Sequence, residues 1–159
     1  HHDTLGPIGF VFAVAPHHPL TQAVQPLSDE VIRQHRAVAV ADSVQRGQGM
    51  TIGLLAGQDV FTVPSMGAKL EAQLRGLGAG FLPEPLAQPY LASGRLVRCE
   101  VQRPRRISTI GYAWRRDNAQ ARGTRALKWW LQQLKSPATR AALLSQTRRI
   151  HANGVEFHP

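Results

Sequence analysis

The stretch that decides the fold is Val60–Leu86, VFTVPSMGAKLEAQLRGLGAGFLPEPL. It opens with a run of β-branched and aromatic residues, Val60–Val63, which favours a strand. Pro64 ends that strand, because proline cannot donate a backbone hydrogen bond. Ser65 is typical of the residue that caps a helix N-terminus. The segment therefore predicts a strand that is followed at once by a helix.

The second half of the stretch predicts how that helix ends. Leu70, Leu74 and Leu77 recur at the spacing of one helical face, so we expect all three to face the core. The glycine-rich turn Gly76–Gly80 ends the helix, and Phe81–Pro83 begins a second strand. A strand–helix–strand unit places loops at the strand ends, where small molecules bind in α/β proteins.

Strands and helices alternate along the rest of the chain. Further strands are predicted at Gly9–Ala15, Arg36–Ala41 and Ile107–Trp114, and further helices begin after Ser28, at Pro83, at Gly123 and after Ser136. In the helix that begins at Gly123, the expected inward face consists of Leu127, Trp130, Leu131 and Leu134. This alternation predicts an α/β fold with a mostly parallel sheet flanked by helices.

Three loops follow the predicted strands, and we expect them to meet at one rim of the sheet. The candidate ligand-binding residues in these loops are Asp42, Ser43, Pro64, Ser65, Met66, Phe81 and Pro83. Ser65 is the strongest candidate, because a helix N-terminus offers free N–H groups to an anion or a carbonyl. The sequence therefore predicts a small-molecule site at this rim.

Each candidate also has a purely structural interpretation. Ser65 is either a plain helix cap or a cap that also binds a ligand. Ser43 either donates to a ligand or occupies a turn, and Asp42 either selects a cationic group or forms an Asx turn. Met66 and Phe81 either line an apolar wall of the site or belong to the core.

The sequence shows no catalytic or metal-binding arrangement. Cys99 has no histidine near it in sequence, so we expect a packed, inert thiol. His17 and His18 are adjacent and point apart on an extended chain, so we expect an exposed turn rather than a metal site. The glycines of Gly76–Gly80 follow a helix instead of preceding one, which argues against a dinucleotide-binding fingerprint. We therefore expect a protein that is not an enzyme and holds no metal or cofactor.

Charge is unevenly distributed along the chain. The net charge is +9, and residues 98–159 hold 13 of the 19 basic residues but only three of the 10 acidic ones. We expect a solvated basic face there, with contact to an anion or to a DNA backbone as the alternative. With a single cysteine and no apolar run of membrane-span length, the composition favours a cytoplasmic protein with no membrane partner.

Four segments, taken in order, resemble the ligand-binding domain of LysR-type transcriptional regulators. Gly76–Cys99, GLGAGFLPEPLAQPYLASGRLVRC, is similar to the family's glycine turn, its strand ending in Leu-Pro and its later Gly-Arg-Leu. Phe10–Leu20, Pro26–Ser43 and Tyr112–Asp117 resemble its crossing strand, the helix and strand that follow, and its return segment. The resemblance extends from Phe10 to Leu144.

The resemblance implies a domain of the periplasmic-binding-protein type II class that senses a small-molecule effector. In this family the effector, often anionic or aromatic, binds between two α/β subdomains. Promoter DNA is bound only through a separate winged helix-turn-helix domain. The resemblance also implies a homodimer. A periplasmic-type solute-binding module is the alternative function.

The resemblance further implies a truncated two-subdomain architecture, because the family's DNA-binding domain and part of its first subdomain have no counterpart here. We expect a tag remnant or linker at 1–9 and the second regulatory subdomain at 10–106. The return strand and helices of the first subdomain are expected at 107–148, and a flexible tail at 149–159.

Overall fold

The computed structural model describes residues 1–41, 53–115 and 124–145. The strands in these ranges are β1 His2–Val14, β2 Ala37–Val40, β3 Val60–Val63, β4 Gly80–Pro83, β5 Val97–Arg98 and β6 Ile107–Ala113. The helices are α1 Asp29–Arg33, α2 Met66–Leu74, α3 Glu84–Ala92, α4 Thr124–Lys135 and α5 Pro137–Ser145. The chain is thus a mixed α/β protein, as its sequence predicts.

The chain divides into two compact units. The larger unit is Gly9–Arg106, and the smaller unit combines His1–Ile8 with Ile107–Pro159. Residues 1–9, predicted as a tag remnant or a linker, mostly belong to β1 instead. The reason is that backbone pairing continues to the first residue, since the N–H of Trp114 donates to the His1 carbonyl at 2.9 Å. Assignment of the units to regulatory subdomains stays a prediction.

The larger unit contains a parallel two-stranded sheet and an antiparallel sheet, which an isolated bridge connects. β2 and β3 are parallel, with Val40 opposite Val63. A parallel bridge joins Ala37 to Ala79, immediately before β4. β1 runs antiparallel to both β4 and β5. The parallel part that the sequence predicts therefore consists of β2, β3 and the start of β4, and the long β1 adds the antiparallel part.

Helix α2 is shorter than the leucine spacing predicts. Leu70 is buried and Leu74 is half-buried, but Leu77 is 46 % exposed. The helix ends at Leu74 because Gly76 adopts a φ of 75°, a left-handed conformation that glycine tolerates and that stops the helix. Leu77 therefore lies beyond the helix and does not share its inner face.

The core of the larger unit consists of separate clusters. The cluster named here the phenylalanine cluster includes Phe12 and Phe81, whose rings meet edge to face with centroids 5.3 Å apart. It also holds Cys99, whose buried thiol has a raised pKa, chiefly because burial disfavours the thiolate. A second cluster, under α2, contains Val11, Ala13, Leu70, Leu82, Ala87 and Leu96. Consecutive residues of β1 and β4 alternate between these clusters, as the strand period requires.

The turn at His17 and His18 differs from expectation. His17 is exposed, but His18 is buried. Its Nδ1 accepts a hydrogen bond from the Leu20 N–H at 3.2 Å, because His18 caps the short 3₁₀ turn that begins at Pro19. Burial lowers the pKa of His18, and the nearby His35 lowers it further. The prediction that both rings are exposed is therefore wrong for His18.

The inward face of α4 also differs from expectation. Leu127, Leu131 and Leu134 are half-buried, but Trp130 is 54 % exposed, as is Trp129. The two indole rings instead contact each other edge to face, with centroids 5.1 Å apart. The leucines alone form the covered stripe, since packing against one neighbouring helix covers only a narrow face.

None of the helices in the described ranges has the length and apolar character needed to cross a lipid bilayer.

We predict that Gly78→Ala lowers the free energy of unfolding by about 2–3 kcal/mol, because the new methyl group overpacks a fixed backbone. A Cβ at Gly78 would lie 2.7 Å from the carbonyl oxygen of Arg36. Gly94→Ala is the control, since it has open space around it and only a left-handed φ of 70° to strain. Urea unfolding of both variants measures the difference. A Gly78→Ala cost no larger than that of Gly94→Ala contradicts the close approach.

Candidate functional site

The predicted rim is formed by the carboxyl ends of β2, β3 and β4. The N–H of Ala41, the residue after β2, donates to the Val63 carbonyl at 2.8 Å. Pro64–Met66 follow β3 directly, and Pro83 ends β4. A parallel bridge from Ala37 to Ala79 sets the start of β4 beside the start of β2. The ends of β2 and β3, with Pro64–Met66, thus lie at one edge of their two-stranded sheet.

Ser65 caps helix α2 at this rim. Its Oγ accepts a hydrogen bond from the Ala68 N–H at 3.1 Å, and its backbone is extended. The N–H groups of Met66 and Gly67 have no acceptor within the helix, as in every first helical turn. They point outward at the positive end of the helix dipole, which favours an anion or a carbonyl oxygen. The cap leaves Ser65 exposed at the rim.

Lys69, one turn into α2, was not among the residues predicted from the sequence. It is only 6 % exposed, and a Cβ at Gly80 would lie 3.3 Å from both its Cε and its Nζ. Among the described residues the ammonium group has no salt-bridge partner. Burial lowers the pKa of Lys69 to about 8. A buried cation without a counter-ion attracts an anion, and such groups are typical of functional sites.

Gln73 lies one further turn along the same face of α2. Its Nε2 donates to the Ala13 carbonyl at 2.7 Å and to the Gly80 carbonyl at 3.0 Å, which ties the helix to β1 and β4. Its Oε1 is buried and has no hydrogen-bond partner in the part of the chain that the structure describes. The four-residue spacing of Lys69 and Gln73 is the signal in the sequence that two polar side chains share the inner helical face.

Two of the predicted site residues, Phe81 and Met66, are not brought together. Phe81 packs with Phe12 in the phenylalanine cluster, whereas Met66 packs against the cluster under α2. The two side chains therefore do not share an apolar wall, because they lie on opposite sides of the sheet. Asp42 and Ser43 lie outside the described residues.

The described part of the chain contains no group of three or more histidine, cysteine, aspartate or glutamate side chains that could hold a metal ion. The rim itself offers the free N–H donors of the α2 N-terminus, and the buried ammonium group of Lys69 lies deeper, beside Gly80 at the start of β4.

The chain is similar to a known protein family over most of its length. The model of the LysR substrate binding domain matches residues 1–136. The uncharacterised HTH-type transcriptional regulator YeeY of Escherichia coli K12 is 36 % identical over 143 residues, which cover 90 % of this chain and 45 % of that protein. The HTH-type transcriptional activator AllS of Klebsiella pneumoniae is 42 % identical over 93 residues, which cover 58 % of this chain and 34 % of AllS. The chain thus spans less than half the length of these curated relatives.

Solved structures of LysR-type regulators share the fold. Full-length LysG of Corynebacterium glutamicum with bound effector arginine superposes with a TM-score of 0.59 at 20 % identity, covering 89 % of this chain and 46 % of LysG. The bromide-bound regulatory domain of HypT from Salmonella typhimurium also has a TM-score of 0.59, at 15 % identity, covering 89 % of this chain and 65 % of that domain. The fold class expected from the sequence is confirmed.

We predict that Lys69→Met raises the free energy of unfolding at pH 7 by about 1–3 kcal/mol, because it removes a buried charge. The pKa of Lys69 falls from 10.5 when exposed to about 8 when buried. Between these values the unfolded chain binds more protons, so the stability of the parent chain rises as the pH rises. Below pH 8 both states are protonated and the full penalty remains.

Urea unfolding at several pH values from 7 to above 10 tests this, with the exposed Lys128→Met as the matched control. The rise in stability with pH should be absent in Lys69→Met and present in Lys128→Met. An equal pH dependence in both variants would show that the ammonium group of Lys69 is not desolvated.

Proposed function

The chain belongs to the LysR substrate-binding domain family, and we propose that it is the effector-sensing part of a cytoplasmic transcriptional regulator that has no catalytic activity. Its relatives YeeY and AllS are transcriptional regulators. The alternative of a periplasmic-type solute-binding module is not favoured, because the matching family and these relatives are regulatory.

The effector that we propose is a small anion held at the N-terminus of α2. The observation that carries this proposal is Lys69, a buried ammonium group with no acidic partner among the described residues. Lys69 follows Ser65 by one turn of α2, and its ammonium group and the helix dipole both favour a negative charge nearby. Pro64 and Pro83 would border the ligand, and Asp42 and Ser43 remain proposed contacts from the loop after β2.

In this proposal, regulation arises because the effector binds two conformations of the regulator with unequal affinity. An effector that binds one conformation of the regulator more tightly than another shifts the population toward it by that difference in binding free energy. The change would reach promoter DNA through a winged helix-turn-helix domain of the parent regulator, and pairing of two copies would be two-fold symmetric. The LysG structure with bound arginine supports effector binding by this fold in a related protein.

We predict that a small carboxylate raises the melting temperature of the chain and that Lys69→Met removes most of this shift. The probes are succinate, benzoate and phosphate at millimolar concentrations, followed by thermal unfolding. Arg75→Met is the matched control, since Arg75 is an exposed cation on the same helix and pairs only with the neighbouring Glu71 at 2.8 Å within the described structure. A ligand shift in Lys69→Met equal to that of the parent chain rules out the lysine as an effector contact.

We predict that Ser65→Asp abolishes anion binding whereas Ser65→Asn retains it. Asparagine and aspartate both cap helices well, so both variants should keep their unfolding free energy within about 0.5 kcal/mol of the parent chain. Only aspartate adds a negative charge at the helix N-terminus, where it repels an anionic ligand. Isothermal titration with the tightest of the three probes measures the effect. Equal affinity of the two variants would place the anion elsewhere.

A further inference from the structure

The turn that follows β1 depends on a buried histidine. His18 precedes the short 3₁₀ turn Pro19–Thr21 and is only 7 % exposed. Its Nδ1 accepts the hydrogen bond of the Leu20 N–H, so the neutral ring carries its proton on Nε2. A protonated imidazole has hydrogen on both nitrogens and cannot accept a hydrogen bond. The cap that His18 provides therefore exists only in the neutral form of the ring.

A second histidine lies against the first. The rings of His18 and His35 have centroids 5.2 Å apart and are tilted by 56°. His35 is half-buried just after α1, where its carbonyl accepts a hydrogen bond from the Gln58 Nε2 at 2.9 Å. Within the described ranges neither imidazole has a carboxylate at salt-bridge distance. Two charged rings at this spacing would repel each other, and no carboxylate of these ranges offsets the repulsion.

The third histidine of the group, His17, adds to the positive charge on protonation. It is exposed, and its ring lies against Gly76, the glycine whose left-handed conformation stops α2. Burial is the largest cause of the lowered pKa of His18, and the charges of His35 and His17 lower it further. All three contributions act against the charged form of His18.

Two arginines lie next in sequence to this group, and each already has an acidic partner. Arg36 follows His35 and pairs with Asp59 at 2.6 Å. Arg75 precedes Gly76 and pairs with Glu71 at 2.8 Å. These two carboxylates therefore neutralise arginines and are not available to stabilise a charged His18.

The turn that His18 caps carries a side chain of the core. Leu20 is fully buried and belongs to the phenylalanine cluster. Its carbonyl lies 3.9 Å from the Cys99 Sγ, which donates to it. Burial raises the pKa of that thiol, so it stays neutral and takes up no proton between pH 5.5 and 7.5. Loss of the His18 cap thus removes a support of Leu20 in the core.

We propose that His18 and His35 form an acid-sensitive switch, in which protonation of His18 releases the turn Pro19–Thr21 and, with it, Leu20 from the phenylalanine cluster. The open turn binds more protons than the closed one, because only the open turn lets water solvate a charged His18 ring. The closed turn is therefore fully stable above the ordinary histidine pKa of 6.5 and loses stability as the pH falls below it. The switch does not depend on the anion site proposed at the N-terminus of α2.

Hydrogen exchange of the Leu20 amide in the whole chain, at pH 7.5 and pH 5.5, tests the proposal. The rates are corrected for the intrinsic effect of pH on exchange. Between these values a histidine with a pKa of 6.5 favours the open turn by up to about tenfold. We expect the protection of Leu20 to fall several-fold, and the ring ¹⁵N spectrum to show hydrogen on Nε2 at pH 7.5. Equal protection at both pH values, or hydrogen on Nδ1 at pH 7.5, would overturn the proposal.

Variants assign the effect to the ring. His18→Asn keeps a good cap that does not titrate, so its Leu20 protection should be the same at both pH values. His2→Asn, at an exposed histidine of the smaller unit, is the matched control and should show the same fall as the parent chain. His35→Gln should reduce the fall without abolishing it, because the burial of His18 remains.

Circular dichroism establishes that each variant is folded, and the result for the parent chain decides if His18→Asn is not. A fall in folded His18→Asn equal to that of the parent chain contradicts the role of His18. An unchanged fall in His35→Gln contradicts the pairing of the two rings.

Discussion

The pairing of Ala79 with β2 is the constraint on which the larger unit depends. The Val38 N–H donates to the Ala79 carbonyl and the Ala79 N–H donates to the Arg36 carbonyl, each at 2.9 Å. These bonds require the chain between α2 and β4 to pass directly against the backbone of β2, where a side chain at Gly78 would collide. The bridge sets the start of β4 beside β2, and the parallel register of β2 and β3 places the N-terminus of α2 at the end of this pair. A candidate anion site at this rim is thus a consequence of backbone hydrogen bonding.

Two arrangements of charge occur in the larger unit, and they differ in their effect on the stability of the fold. Lys69 is buried with no counter-ion among residues 1–41, 53–115 and 124–145, so its protonated form lowers stability, which proteins tolerate where function needs the charge. Glu84 instead holds Arg98 and Arg105 near the surface, where ion pairs contribute little to stability because solvent screens them. The lysine is therefore the more informative residue about ligand chemistry.

The sequence predicts local structure well wherever backbone chemistry decides it. The Ser65 cap, the helix after Pro83 and the left-handed turn at Gly76 follow from residue types whose conformations are restricted. What the sequence could not predict depends on tertiary contacts. The burial of Lys69 is visible only once α2 packs on Gly80, and His18 is buried only because it caps the turn that follows it.

Two further features also depend on tertiary contacts and could not be predicted from the sequence. They are the strand formed by the first residues and the exposure of Trp130. Among the predicted site residues, Phe81 and Met66 show most clearly what the sequence alone could not predict. Both are apolar and both lie near the rim, yet the two-residue period of the strand and the start of the helix place them in different core clusters.

The only thiol of the chain, Cys99, belongs to one of these clusters. Its rate of alkylation therefore reports opening of the phenylalanine cluster.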